Sequence, residues 1–203
     1  MNAPRLRRAI AGLLGILLAP SLLAAPAGTP AGRSLHGVDL APFVHVEAWD
    51  AHLRLAGVQV VDHHYLPFQV VALYVGAEDP DPDLLSSGLV RCRIEIHWRG
   101  PALDEAGAAA WWEARFTRAV PDAGARRRLA DGLGRFVRTT GAPPRGAVTR
   151  LDYDPDAGLT VVSAGGPPAR FTGMELVRAI LALWLSPGPG RDELLGRTPA
   201  AAQ

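Results

Sequence analysis

The sharpest pattern in the chain is the alternation from Leu89 to Trp98. Val90, Cys92, Ile94, Ile96 and Trp98 fall on one side, and Arg91, Arg93, Glu95 and His97 on the other. A period of two predicts a strand in a sheet with one covered face and one wetter face. His97, sharing its face with charges, is expected to be solvated or paired rather than a ligand. Upstream, Gly37 to Leu40 and Val44 to Val46 predict short strands. His52 to Val61 and Tyr65 to Val75 predict two longer ones, joined at Asp62-His63-His64. Between Glu78 and Ser87 the sequence EDPDPDLLSS reads as a loop, with Pro80 and Pro82 expected to stop any regular element.

After Trp98 the apolar period lengthens to that of a helix. One helix is predicted from near Asp104, with Trp111, Trp112 and Phe116 able to share a face. A second is predicted from about Asp122, carrying Leu129, Leu133, Phe136 and Val137. Its Arg126-Arg127-Arg128 run spreads over a solvated arc. Gly141 to Pro144 closes this region. Ala147 to Tyr153 and Leu159 to Ser163 predict a hairpin around Asp154 to Gly158. Asp152 and Asp154 flank Tyr153 there and are expected to serve the turn rather than act as an acid–base pair. After Gly165 to Pro168 comes a last helix, opened by a capping box of Thr172 and Glu175. Leu176, Ile180, Leu183 and Trp184 form its apolar stripe, and Ser186 to Gly190 ends it. Strands, two helices, a hairpin and a helix make an α+β domain, with helices on one face of a largely antiparallel sheet.

Composition narrows the functional classes. The chain has 203 residues, 48% of them hydrophobic, which suits one domain with a full core. Its 21 basic residues, all arginine, nearly cancel 20 acidic ones, so no strong field points to nucleic acid or to an anionic membrane. Arg5, Arg7 and Arg8 precede the apolar run Ala9 to Ala25, and Ala25-Pro26-Ala27 fits a small-residue cleavage site. Gly12, Gly15 and Pro20 interrupt the run, which is short for a bilayer span. Residues 1–27 are therefore expected to be a signal peptide, placing the protein in the periplasm or outside the cell, with a retained anchor as the competing reading. Residues 28–34 are expected to be a flexible lead-in, 35–197 the domain, and 198–203 a mobile tail. Cys92 is the single cysteine, so no internal disulfide forms; its alternating position predicts a buried small hydrophobe. The chain lacks G-x-S-x-G, a P-loop, H-E-x-x-H and the dinucleotide glycine fingerprint. No four-ligand spacing for structural zinc is visible either.

Four segments together resemble the bacterial chalcone isomerase-like family, exported relatives of plant chalcone isomerases and fatty-acid-binding proteins. They are LAGVQVVDHHYLPFQVVALYV, RCRIEIHW leading into a helix, VTRLDYDPDAGLTVVSAGG, and FTGMELVRAILALWLSPGPGRDELLG. The match in order and spacing runs from about Leu35 to Arg197. The resemblance implies an open-faced sheet with a helical layer and a ligand cleft between them. It also implies an arginine before the run ending Ala72-Leu73-Tyr74-Val75, to hold an enolate or a fatty-acid carboxylate. Counted back without gaps, that position is Val61. The next polar ligand contact becomes Gln69, and Leu103 lies nearest the position of a tyrosine beyond the long strand. Arg54 would reach the cleft only after a register shift.

His63, two residues beyond Val61, points the same way on an unbroken strand. It is a candidate donor to a carboxylate or, with His64, a candidate axial ligand to haem. The plainer reading puts both histidines on an exposed turn. The expected cleft residues are thus Val61, His63, Tyr65, Gln69 and Leu103, with no catalytic set, no metal site and no required cofactor. The expected partner is a small hydrophobic molecule such as a fatty acid. The alternatives are haem binding, an isomerase with a rearranged site, and an envelope interaction domain with a vestigial cleft.

Overall fold

The computed structural model describes residues 32–76, 80–141 and 143–197. The expected signal peptide and the expected tail at 198–203 lie outside the described residues, as does all of the lead-in up to residue 31. The rest of the lead-in is ordered differently from expectation. Arg33–Leu35 forms strand β1, paired antiparallel with β2, Val38–Leu40.

Seven further strands form one antiparallel sheet in sequence order. They are β3 (Phe43–Val46), β4 (Ala51–His63), β5 (Leu66–Val75), β6 (Cys92–Trp98), β7 (Val148–Asp154), β8 (Gly158–Ser163) and β9 (Ala169–Phe171). The β4–β5 connection is a two-residue turn, with φ of 51° at His64 and 64° at Tyr65. Two positive φ values match the right-handed twist of the flanking strands, although this conformation favours Asn-Gly. The β7–β8 turn forms as expected. Asp154 Oδ1 accepts from the backbone N–H groups of Asp156 and Ala157 at 2.8 and 3.2 Å.

The helices are α1 (Pro82–Ser86), α2 (Glu105–Ala119), α3 (Ala123–Arg128), α4 (Ala130–Thr140), α5 (Met174–Leu185) and α6 (Pro189–Leu194). Several differ from the sequence expectation for identifiable reasons. Pro82 starts α1 rather than preventing it, because a first-turn N–H needs no intrahelical partner and Asp81 caps the end. The second predicted helix breaks at Leu129 into α3 and α4. The capping box does not form: α5 begins after Gly173 without a side-chain cap, and Glu175 instead pairs with Arg128 at 2.8 Å. The Pro-Gly run after α5 leads directly into α6, and β9 precedes α5.

One face of the sheet carries the main core. Val71, Leu73, Ile94, Ile96, Leu151 and Val161 pack beneath Trp112, Phe136, Ile180 and Trp184. Cys92 belongs to this core, and burial pushes its thiol up to about 12. The opposite face has its own smaller core, where Val38 and Leu40 meet Leu53, Val58, Val70 and Tyr74. Farther along that face runs a charged ladder. Arg93 grips both oxygens of Asp152 at 2.6 and 2.9 Å, and Glu95 lies 3.8 Å from Arg93 and 3.5 Å from His97. Helix α6 reaches the sheet at Gly57, beside a β-bulge. A Cβ there would collide with the carbonyl oxygens of Glu193 and Leu194, so only glycine permits this backbone-to-backbone approach.

Candidate functional site

Three expected or newly found residues lie in one row across the sheet. Val61 on β4 is opposite Gln69 on β5, which is opposite Trp98 on β6. Directly opposed residues in antiparallel strands point to the same face, and here that face is the helical one. Val61 is half-buried against the main core. Trp98 is buried, and its Nε1 donates to Thr149 Oγ1 at 3.0 Å. Beyond it, Thr149 and Ser163 share a hydrogen bond of 2.8 Å, and Ser163 Oγ donates to Thr140 O at 3.1 Å. Every polar group in that chain is answered. Gln69 is the exception: its side chain is fully buried, and among the described residues neither the amide nitrogen nor the amide oxygen has a partner.

Aromatic rings from both layers surround the row. Trp98 lies 6.0 Å from Trp111 and 6.3 Å from Trp112, centroid to centroid, and Trp112 lies 6.2 Å from Trp184. Phe68 stands 5.6 Å from Trp98 and 5.5 Å from Trp111. Gly100 leaves room for the Phe68 ring, which occupies the space a Cβ would need. The sheet–helix seam is therefore filled with aromatic side chains in this conformation. A ligand there must separate α2 or α5 from the sheet.

Arg115 enters this cluster from α2. Its guanidinium lies 4.8 Å from the Trp111 ring and 5.9 Å from the Trp184 ring, and its Nη2 donates to Leu183 O at 3.1 Å. Its Nε is buried without an acceptor, as is Nε1 of Trp184. Burial, then the nearby Arg118, lowers the Arg115 pKa to about 10. Sequence reasoning missed Arg115. The available signal was its place in AAAWWEARF, four residues after Trp111 and hence on the same helix face.

The other expected cleft residues divide. A register shift between Val61 and Asp62 breaks the two-residue repeat on which the orientation of His63 was based. The His63 ring nonetheless lies 5.2 Å from Phe68, at the edge of the seam, and 4.1 Å from His64. His64 is exposed, and Tyr65 is 99% exposed at the hairpin tip, so Tyr65 does not line the seam. Leu103 packs half-buried against the main core ahead of α2. Arg54 is opposite Val75, at the other end of β5 from Gln69. Among the described residues, no three His, Cys, Asp or Glu side chains converge as a metal site. No helix among the described residues is long and apolar enough to cross a membrane.

A ligand-sized opening exists elsewhere, as a groove of about 860 Å³ between α2 and the α3–α4 pair. Ala108, Phe116, Leu133 and Val137 form its apolar lining, with Glu113 and Arg138 also bordering it. It opens on the other side of α2 from Trp111 and contains none of the expected cleft residues.

Comparison with known proteins agrees with this architecture. No curated protein matches the sequence. The structure is similar to the crystal structure of an Arabidopsis thaliana fatty-acid binding protein, with a TM-score of 0.53 and 17% identity over 75% of this chain and 95% of that one. At that identity the likeness concerns the fold: a curled antiparallel sheet backed by helices. The family model described as chalcone isomerase-like matches residues 32–196. The chain belongs to the chalcone isomerase-like family.

Proposed function

We propose that this protein is an exported, non-catalytic binding protein that holds a small hydrophobic molecule with a polar end, such as a fatty acid, between sheet and helices. The observation that carries this reading is Gln69. A fully buried amide with neither atom paired is costly in an apolar interior, by about 1–3 kcal/mol for each unsatisfied group. A ligand's polar end would supply the missing partners. The surrounding rings and the half-buried Val61 offer the apolar body its contacts. The ligand class is suggested by the fatty-acid binding protein that shares the fold, and export by the apolar run Ala9 to Ala25 behind three arginines.

Val61 speaks against catalysis. Closing a chalcone ring develops enolate charge, and removing one donor to such an oxyanion costs about 2.7–4 kcal/mol. A valine where the family resemblance implies an arginine supplies neither charge nor donor.

Native mass spectrometry of protein purified from its own host, together with dye displacement by fatty acids, tests the proposal. Co-purified lipid and saturable displacement are expected. Neither lipid nor displacement would refute it and leave a fold whose surface serves another envelope protein. Closure of naringenin chalcone well above the spontaneous rate would show an isomerase with a rearranged site instead. A shifted Soret band on haemin addition, lost in His63→Ala or His64→Ala, would replace the fatty acid with haem.

A further inference from the structure

The β4–β5 hairpin ends in two large apolar side chains that the fold leaves in water. Tyr65 is 99% exposed and Leu66 is 66% exposed, more than any other large hydrophobic residue among those described. His64 and Tyr65 both hold positive φ, 51° and 64°, a conformation that glycine adopts freely and a bulky side chain rarely does. Neither packing nor turn chemistry accounts for a tyrosine there. Glycine would make the same turn with less strain, and a polar side chain would face water at lower cost. A residue held against its backbone preference and kept out of the core points to use of its side chain. Two side chains at a convex turn offer too little area for a specific protein interface, which buries about 800 Å² on each partner. A bilayer surface asks for less, because single side chains enter it: a tyrosine suits the headgroup boundary and a leucine the acyl region beneath. Behind the turn, the Arg99 backbone N–H donates to Phe68 O at 2.8 Å, and Arg145 Nε donates to Arg99 O at 2.6 Å. These bonds bring the exposed Arg145 to the same end of the sheet, with exposed Asp62 as the opposing charge beside the turn.

We propose that the hairpin tip is a membrane-contact surface. Tyr65 and Leu66 enter the headgroup boundary of a lipid bilayer without spanning it, and Arg145 meets the lipid phosphates. The chain's charges nearly cancel, so the apolar tip rather than a long-range field carries the contact, which is weak and reversible. This surface stands apart from the reading of the sheet–helix seam as a binding site. The two are neighbours, however: the His63 ring, beside the tip, lies 5.2 Å from Phe68 at the edge of the seam. A bilayer engaged by the tip therefore lies next to the seam.

The test attaches an environment-sensitive fluorophore to the thiol of a His64→Cys variant. Cys92 is 1% exposed and stays unlabelled in the folded protein. The labelled protein is titrated with vesicles of equal parts phosphatidylcholine and phosphatidylglycerol, and a brighter, blue-shifted emission is expected. Adding Tyr65→Gly and Leu66→Ser should raise the lipid concentration at half-change by at least about tenfold, through the loss of two inserted apolar side chains. Tyr65→Gly alone should raise it several-fold while leaving Tm unchanged or higher, because glycine suits the positive φ. Lower Tm with unchanged lipid dependence would make the tyrosine structural and overturn the proposal. So would no emission change with vesicles, or the same change in the doubly substituted tip. A change seen only with vesicles that carry envelope proteins would overturn it in favour of a protein partner. An intact emission change in a protein that shows no dye displacement by fatty acids would remove the seam reading and leave this surface standing.

Discussion

Replacing Gln69 by methionine should stabilise the empty protein and weaken it as a binder, and these opposite signs make it the most informative single change. Met has the same unbranched length but no hydrogen-bonding atoms, so it fills the space beside Val61 and Trp98 without orphaned groups. The wild-type amide is fully buried with both polar atoms unpaired. Mutational costs of about 1–3 kcal/mol per unsatisfied group set the upper range of the gain. Volume-conserving core swaps cost under about 1.5 kcal/mol and subtract from it. A net gain of about 2 kcal/mol is expected, which for a domain of this size raises Tm by about 4–8 °C. Differential scanning calorimetry of delipidated wild type and Gln69→Met measures this directly. With saturating fatty acid the order should reverse, because ligand binding stabilises only the form that binds it well. A delipidated Gln69→Met protein melting below wild type would refute the reasoning, since it would mean that the native amide is already satisfied.

Gly57→Ala should destabilise the fold by at least about 2 kcal/mol in urea titration, as overpacking does, because the new methyl group would strike the α6 carbonyls of Glu193 and Leu194. Asp154→Asn should lower stability by about 1 kcal/mol at neutral pH through the lost charge at the Arg91 pair and the turn N–H bonds. Burial opposes ionisation of Asp154, but the N–H groups of Asp156 and Ala157 and the Arg91 charge outweigh it and hold the carboxyl below its ordinary value of 3.8. Its contribution is therefore complete above that value and lost as pH falls through the lower folded one, so the two proteins should converge in acid urea melts. Cys92, 1% exposed and with its thiol pushed up to about 12, should resist alkylation at pH 8 in the folded protein and react once it is denatured.

Much of the architecture could be read from local pattern. The alternation around Ile94 and Ile96, the Asp154 to Gly158 turn and the stripe of Trp112 and Phe116 each repeat at the period of the element they build. Proline misled the reading where position outweighs propensity: Pro82 and Pro189 stand in the first turns of α1 and α6 and help to start them. Strand β9 is three residues long and gains its identity from pairing with β8, which no period of so short a segment records. The Thr172–Glu175 spacing was a sound local signal, yet Glu175 turned to Arg128 on another helix.

The site divides along the same line. Local pattern placed Val61 and Gln69 on neighbouring strands, because antiparallel pairing around a short turn is nearly a counting problem. That Gln69 lacks partners among the described residues, and that Arg115 packs against Trp184 and donates to Leu183 O, was decided only when α2 and α5 came down on the sheet. A residue's type is a property of the chain. Whether its polar atoms are answered depends on side chains arriving from elements far apart in sequence, and the cost of leaving them unanswered arises only once water has been excluded.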